Sequence, residues 1–328
     1  MSTPPWLTLI ASEIGVAPSR EEPASPGLER LAGRGSVARR WVRTDAKSSL
    51  QPWQRGLLDV LGIAPDSVGS AAVSMSGHDG YWFAAEPVHF AAGLDRLTFL
   101  TLTEEARVTD AERSELFETL SSSFTSGDFV LQAAGGEWFV RAARPLQVVT
   151  STPEAASSNE LQSVMPRGAD SPVVRRVMTE MQMLLHEHPV NEARARRGLP
   201  AINAVWLWGS SVPLESSMSS EFPAAFGSRA FLHGLYRRSD QSVGELPQNP
   251  EVLLQSIARA PRAIAVVPEA DLESFDSHWL SPLSAALAQG RLSRLDIILD
   301  EWHIDVRRGD LRRFWRRALP LSQWGSQR

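Results

Sequence analysis

The run from Val173 to Ser211 constrains this chain most, because it forces a helix, a break, a second helix, a strand and an abrupt loop in immediate succession. Val173, Val174, Val177, Met178, Met181, Leu184 and Leu185 recur at intervals of three and four, the spacing of a helix with one buried face, and a helix is predicted over 173–187. Asp170 or Ser171 can cap it and Pro172 suits its first position, while Pro189 disfavours helical geometry at His188 and so ends it. A short helix from Glu192 to Arg197 follows, with Asn191 as N-cap, Gly198 as the left-handed terminator and Pro200 at the exit. Ala201 to Trp208 reads as a strand, and Gly209, Ser210 and Ser211 then break it. In open α/β sheets the carboxyl end of a strand is where ligands usually bind.

The candidate ligand site is therefore His188, Asn191, Arg194, Arg197, Asn203, Trp206, Trp208 and Ser210. A helix start at Asn191 offers free backbone N–H groups, and Arg194 on its first turn adds a planar donor fork, a combination suited to phosphate or carboxylate. Trp206 and Trp208 share a strand face and could stack on a ring. The plainer alternative is that Asn191 is only a cap, the arginines are solvated and both tryptophans are core.

The same segment, EMQMLLHEHPVNEARARRGLPAINAVWLWGSS, resembles the bacterial family named after the regulatory protein RpfE, whose members carry a run like QMLLHxHPVNxxRxxxGLPxxNxxWLWGGG. A weaker likeness covers AEPVHFAAGLDRL at 85–97 and the Arg-rich end, and this chain has Ser210 and Ser211 where the family tends to show glycines. That family is similar in turn to cofactor-independent phosphoglycerate mutases, which share an Asn-x-x-Arg, Gly-Leu-Pro, Asn-x-(apolar)-Leu-x-Gly run. The resemblance implies descent from the alkaline-phosphatase superfamily, whose mutases use two divalent metals held by Asp and His, a serine nucleophile, and an opening strand leading directly into a metal-binding Asp. Here the first aspartate is Asp45, in basic, surface-like sequence. His78, His89, His186, His188, His233, His278 and His303 show no paired Asp/His cluster at the family's spacing. Metal ligands stabilise the transferring phosphoryl group directly, so their loss leaves little such catalysis. A regulatory protein binding a small anionic ligand, with no metal and no cofactor, is expected. Phosphoglycerate mutase-like or phosphatase-like phosphotransfer is the alternative, and an interaction module built on the Arg/Trp-rich C-terminus a second one.

Bulk properties narrow the classes. At 328 residues, 43% hydrophobic and 22% charged, the chain can bury a substantial core. A net charge of -5 and a pI near 5.9 argue against a general nucleic-acid or anionic-membrane binder. The expected partners are a small phosphorylated or carboxylated metabolite and a protein, not nucleic acid and not membrane. The absence of cysteine fits a reducing compartment. The N-terminal apolar stretch lacks a basic leader and contains Glu13, so a signal peptide is not expected and a cytoplasmic location is.

The expected fold class is α/β, with a mostly parallel sheet covered by helices in the C-terminal part and a smaller α+β N-terminal part. Residues 1–150 form the α+β part, 151–170 a linker-like segment poor in periodic apolar residues, and 171–328 the α/β part carrying the HPVN and WLWG motifs. Residues 17–40 read as a surface loop, Pro52 to Leu61 and Asp110 to Leu120 as helices, and Gly80 to Phe90 and Arg96 to Leu102 as strands. A hairpin turns at Gly135-Gly136. Beyond 209–227, read as irregular, strands fall at 263–267 and 294–299, helices near 250–259 and 280–288, and the chain closes with the hairpin IILDEWHIDV and a short helix.

Three other clusters carry chemistry. His186 and His188 flank Glu187, but residues two apart on a helix point to different sides, so a shared metal is not expected. Asp300, Glu301, His303 and Asp305 could line one strand face as a metal or proton-relay set, or simply be the wet face of the hairpin, which is favoured. Arg307, Arg308, Arg312, Arg313, Arg316 and Arg317 crowd around Phe314 and Trp315. Such a stripe holds an acidic partner or a nucleic acid, unless Leu311, Phe314, Trp315 and Leu319 dock a terminal helix.

Overall fold

A computed structural model describes residues 4–12, 14, 25–40, 49–65, 68–92, 97–100, 106–125, 127–211, 221–268 and 271–326. Its strands are β1 (Trp6–Ala11), β2 (Ser36–Arg39), β3 (Tyr81–Ala92), β4 (Leu97–Leu100), β5 (Phe129–Ala134), β6 (Glu137–Ala142), β7 (Ala204–Ser211), β8 (Ala224–Phe226), β9 (Arg262–Val267), β10 (Arg294–Leu299) and β11 (Trp302–Arg307). They build two sheets.

The first sheet has six strands in the order β2-β11-β10-β1-β9-β8. β1 runs parallel to both β9 and β10, and β8 parallel to β9, whereas β11 and β2 are antiparallel additions at one edge. Both faces of this sheet are covered, which is why β1 is almost continuously apolar. Leu7, Leu9 and Ala11 point into a core shared with the Pro26–Arg34 and Ser281–Gln289 helices. Ile10, Ile264 and Ile298 meet Trp53, Leu57 and Leu58 of the Pro52–Leu61 helix and Phe231, Leu232 and Leu235 of the Ala230–Arg237 helix on the other side. The fold is α/β with a parallel-containing sheet and helices, as expected.

The second sheet is antiparallel and centred on β3, which pairs with β6, β7 and β4 along its length. β5 completes it through the hairpin with β6, where Gly135 and Gly136 take φ of 58° and 77°. The Asp110–Ser123 and Ser171–Leu185 helices pack on it through Leu116, Leu120, Val174, Val177, Met178 and Met181. Among the described residues no helix is long and apolar enough to cross a membrane.

Several expectations change. The boundary at 151–170 does not separate the sheets, because β1 and β2 join the strands after residue 220 and β7 joins β3 to β6. Nor is that segment a linker, for it holds helices Pro153–Ser158 and Leu161–Val164 with Ala155, Ala156, Leu161 and Val164 buried. The loop expected over 17–40 contains the Pro26–Arg34 helix and β2, and its first part, 17–24, lies outside the described residues. The first helix of the motif stops at Leu185, with Glu187 at φ 61°, and the second runs Pro189–Arg196 with His188 as its cap instead of Asn191. Of the strand expected at 96–102 and the irregular segment at 209–227, residues 96, 101–102 and 212–220 lie outside the described residues.

A short helix ties the two sheets together. The Ser70–Ser74 helix lies against β3 and β7 of the antiparallel sheet and also against the Ala230–Arg237 helix of the parallel one. Gly234 permits the crossing, since a Cβ there would stand 1.8 Å from the Val73 carbonyl oxygen. Backbone cannot swing aside as a side chain can. Gly234→Ala is therefore expected to cost about 3 kcal/mol, at the upper end of overpacking penalties, read as a lowered urea midpoint with an unchanged m-value. An unchanged midpoint would mean the crossing is not constrained as described.

Candidate functional site

The eight motif residues do not gather in one place: His188, Asn191, Arg194 and Asn203 turn to separate internal hydrogen bonds, Trp206 is core, Arg197 is half-exposed, and Trp208 and Ser210 lie farther along β7. The His188 ring is buried, its Nδ1 accepting from the Val190 N–H at 3.2 Å and its Nε2 lying 2.8 Å from Thr119 Oγ1. An imidazole whose Nδ1 accepts carries its proton on Nε2, so Thr119 receives that hydrogen bond. Asn191 donates through Nδ2 to the carbonyls of Leu185 and Ile202, both at 2.9 Å, and its Oδ1 accepts from the Ile202 N–H at 2.7 Å. One amide thus joins the end of the long helix to the approach of β7. Asn203 does the same for β3, clamping both the N–H and the carbonyl of Phe90 at 2.8 and 2.9 Å.

Arg194 is completely buried, with 0% of its surface exposed. Its guanidinium donates to the Pro200 carbonyl at 2.8 Å, to Glu112 Oε2 at 2.8 Å and to the Ala106 carbonyl, while Arg197 holds the other carboxylate oxygen of Glu112. Burial alone would raise the Glu112 carboxyl, but the Thr109 backbone N–H, Arg194 and Arg197 together hold it below the usual carboxylate range. Trp206 is wholly buried and its Nε1 donates to the Ser151 carbonyl at 2.7 Å. Ser210 Oγ lies 3.4 Å from Thr150 Oγ1 and bonds the Tyr81 hydroxyl. The side chain of Ser211 lies outside the described residues.

This corrects the expected anion cradle at His188, Asn191, Arg194, Arg197, Asn203, Trp206 and Ser210. The donors are committed to backbone carbonyls and to Glu112, and β7 ends in an antiparallel sheet instead of at the carboxyl edge of a parallel one. His186 is also no partner for His188, since it is exposed while His188 turns inward.

The carboxyl edge of the parallel sheet opens instead onto a cleft of about 650 Å³ between the two sheets. Ala11 and Ser12 at the end of β1, Pro268 after β9 and Asp300 after β10 form its floor. Ala84 to Val88 of β3, with Trp138 and Trp208, form the facing wall. Among the eight expected site residues, Trp208 alone lines this cleft. Arg229 is fixed at the end of β1, its Nε donating to Ser12 Oγ at 3.1 Å and its Nη1 standing 3.8 Å from Glu137 Oε1. Glu137 in turn accepts from the Ala230 N–H at 2.8 Å, locking the start of a helix to the Gly135-Gly136 hairpin. Arg107 and Arg113 add positive charge, and Glu86, Asp110, Glu154 and Asp300 add carboxylates. Asp300 is 3% exposed and takes φ 52° in the turn between β10 and β11. A buried non-glycine residue in that conformation stores local strain, which clusters at functional sites.

Sequence reasoning missed Ser12 because β1 was read only as a short apolar stretch near the N-terminus, and Glu137 and Arg229 because a pairing between distant positions leaves no local signal. The available signal was WLTLIA itself, a brief apolar run bounded by prolines and Ser12, as buried parallel strands are.

The other two clusters also differ from expectation. Glu301 pairs with Arg39 at 2.8 Å, and His303 and Asp305 turn toward buried Asp296 and Arg294, so the hairpin face is an ion-pair cluster and not a wet surface. Burial, and then Asp296, push the Asp305 carboxyl above its ordinary range. At the C-terminus no docked helix forms around Phe314 and Trp315. Asp310–Arg312 is a single 3-10 turn, and Leu319, Leu321 and Trp324 provide the anchoring.

No protein-family model matches the chain. A stretch of 61 residues is 36% identical to the 2,3-bisphosphoglycerate-independent phosphoglycerate mutase of Methanothrix thermoacetophila, covering 19% of this chain and 16% of that enzyme. Among solved structures the chain is similar to the cofactor-independent phosphoglycerate mutase of Thermoplasma acidophilum, with TM-score 0.40 and 16% identity over 93% of this chain and 90% of that one. It is also similar to the PH0037 protein of Pyrococcus horikoshii, with TM-score 0.49 and 13% identity over 94% and 88%. The expected likeness to phosphoglycerate mutases is thus found over that 61-residue stretch, and the RpfE likeness has no counterpart among these relatives.

Among the described residues, those in place do not provide the two-metal centre that the mutase resemblance implies. Among the described residues no group of three or more His, Asp or Glu side chains is arranged to hold a metal ion. The opening strand leads into Ser12, where the resemblance implies Asp, and the guanidinium of Arg229 sits on that serine. Asp45 lies outside the described residues.

Proposed function

We propose that this protein is an RpfE-like cytoplasmic regulatory protein of phosphoglycerate mutase-like ancestry, which takes a small phosphorylated or carboxylated metabolite into the inter-sheet cleft without metal-dependent catalysis. The supporting observation is Arg229, a guanidinium held by Ser12 and Glu137 at the carboxyl end of β1, where α/β sheets bind their ligands. A planar donor fork at that position suits a phosphate or carboxylate. The surrounding carboxylates accept hydrogen bonds, so they favour a ligand that also carries hydroxyl groups, as a phosphorylated hydroxy acid does.

Titration calorimetry with 3-phosphoglycerate, and separately with inorganic phosphate, tests this. The intact protein should bind the phosphorylated acid saturably, and Arg229→Ala should weaken it about tenfold to a hundredfold, the range for one hydrogen bond to a charged group. Unchanged affinity in that variant would move the site elsewhere. Interconversion of phosphoglycerates with added Mn²⁺ or Mg²⁺ would instead establish the phosphotransfer reading, which the 61-residue likeness favours.

A further inference from the structure

The C-terminal segment departs sharply from the molecule's acidic average. In a chain of net charge -5, the stretch from Arg307 onward carries seven arginines and a single acidic residue, Asp310. At its centre Phe314 and Trp315 are 79% and 67% exposed, their rings meeting edge to face at 5.3 Å. Exposed apolar side chains scattered singly are ordinary, but two adjacent aromatic rings left in water beside available core are not.

The segment is held firmly on both sides of the pair. Arg313 donates to the Arg34 carbonyl at 3.1 Å and pairs with Asp310 at 2.9 Å. The Leu319 N–H donates to the Glu29 carbonyl at 2.8 Å, and Trp324 packs against Trp302 in the core. Between these points the Arg317 carbonyl lies so close to Gly33 that a Cβ there would be 2.1 Å away. The pair is therefore displayed on a fixed loop. Arg312, Arg316 and Arg317 are exposed around it and have no ion-pair or side-chain hydrogen-bond partner among the described residues, although Arg291, Arg294 and Arg313 are all paired.

We propose that Phe314 and Trp315, ringed by Arg312, Arg316 and Arg317, dock a short acidic segment of another protein that inserts an apolar side chain against the two rings. Aromatic anchors with arginine neighbours are the residues that dominate interface energetics, and each guanidinium can take a carboxylate in bidentate fashion. Charge complementarity selects an acidic partner. A short acidic segment is favoured over nucleic acid because the chain as a whole carries a net charge of -5, whereas general nucleic-acid binders show a basic excess. This docking surface is independent of the inter-sheet cleft.

The test uses the full chain and a fluorescently labelled peptide of glutamates with two central leucines, followed by anisotropy at low and high salt. Binding at or below about 100 µM is expected. Phe314→Ala with Trp315→Ala should weaken it at least about tenfold, a typical loss for anchor residues, at an unchanged thermal midpoint. Ser replacements of Arg312, Arg316 and Arg317 should remove its salt dependence. Point variants are required because deleting the segment would also remove Leu321 and Trp324 from the core. The proposal is overturned if the peptide does not bind, if the aromatic double variant binds as well as the parent, or if an oligothymidylate of equal length binds more tightly through the same residues.

Discussion

Arg194→Ala is expected to lower the free energy of unfolding by about 3–5 kcal/mol, the range for breaking a buried ion pair on one side, and to leave ligand binding in the inter-sheet cleft unchanged. The guanidinium has no exposed surface and serves four acceptors from three separate parts of the chain. Its removal leaves the buried carboxylate of Glu112 with only Arg197 and the Thr109 N–H, and leaves the Pro200 and Ala106 carbonyls facing a cavity. Arg194→Lys should recover little, since a single ammonium cannot reach acceptors arranged around a planar fork. The same network predicts an acid sensitivity. Glu112 has a folded-state pKa below its unfolded one, so its contribution is fully present above the unfolded value and is lost as pH falls through the folded value. Stability should accordingly decline below about pH 4.5, and Glu112→Gln should show a shallower decline from a lower starting point. Urea melts at neutral and acid pH measure both effects. A variant at Arg194 with an unshifted melt and abolished metabolite binding would reinstate the motif as a ligand site.

The motif that most clearly marks this chain was legible as local structure and misleading as chemistry. Apolar spacing placed the Ser171–Leu185 helix and its buried Val174, Val177, Met178, Met181 and Leu185, and the glycine pair placed the β5–β6 hairpin. What spacing could not show was the partner of each polar group. Arg194 reads equally well as an anion donor or as an internal clasp, and the residue that decides between them, Glu112, is 82 positions away. β7 posed the same problem in the backbone. Val205, Trp206, Leu207 and Trp208 are all buried, the signature of a strand covered on both faces, and such a run suits a parallel sheet. Here it pairs antiparallel with β3, so the carboxyl edge that holds the cleft belongs to β1, β9 and β10. The two parts read from sequence order therefore do not correspond to the two sheets.

Trp206→Ala should be comparably damaging, at about 3–5 kcal/mol for a large aromatic lost from a core, and it separates the packing role of this tryptophan from a ligand-stacking one. The ring meets Phe90 at 6.2 Å and Phe99 at 5.6 Å, both edge to face, which joins β7 to β3 and β4. Its Nε1 reaches the Ser151 carbonyl, so the same side chain fastens the start of the 151–170 segment to the sheet. Trp206→Phe keeps most of the packing and loses that hydrogen bond, for which about 1–3 kcal/mol is expected. Both variants should loosen the segment, and trypsin should cut faster after exposed Arg167 than in the parent protein. A ring-stacking role predicts the reverse, with ligand affinity lost and cleavage unchanged. Because Trp206 contributes no surface to the cleft, metabolite binding there should survive Trp206→Phe, and its loss at full occupancy of the folded state would show that the wall carrying Trp208 depends on the ring behind it.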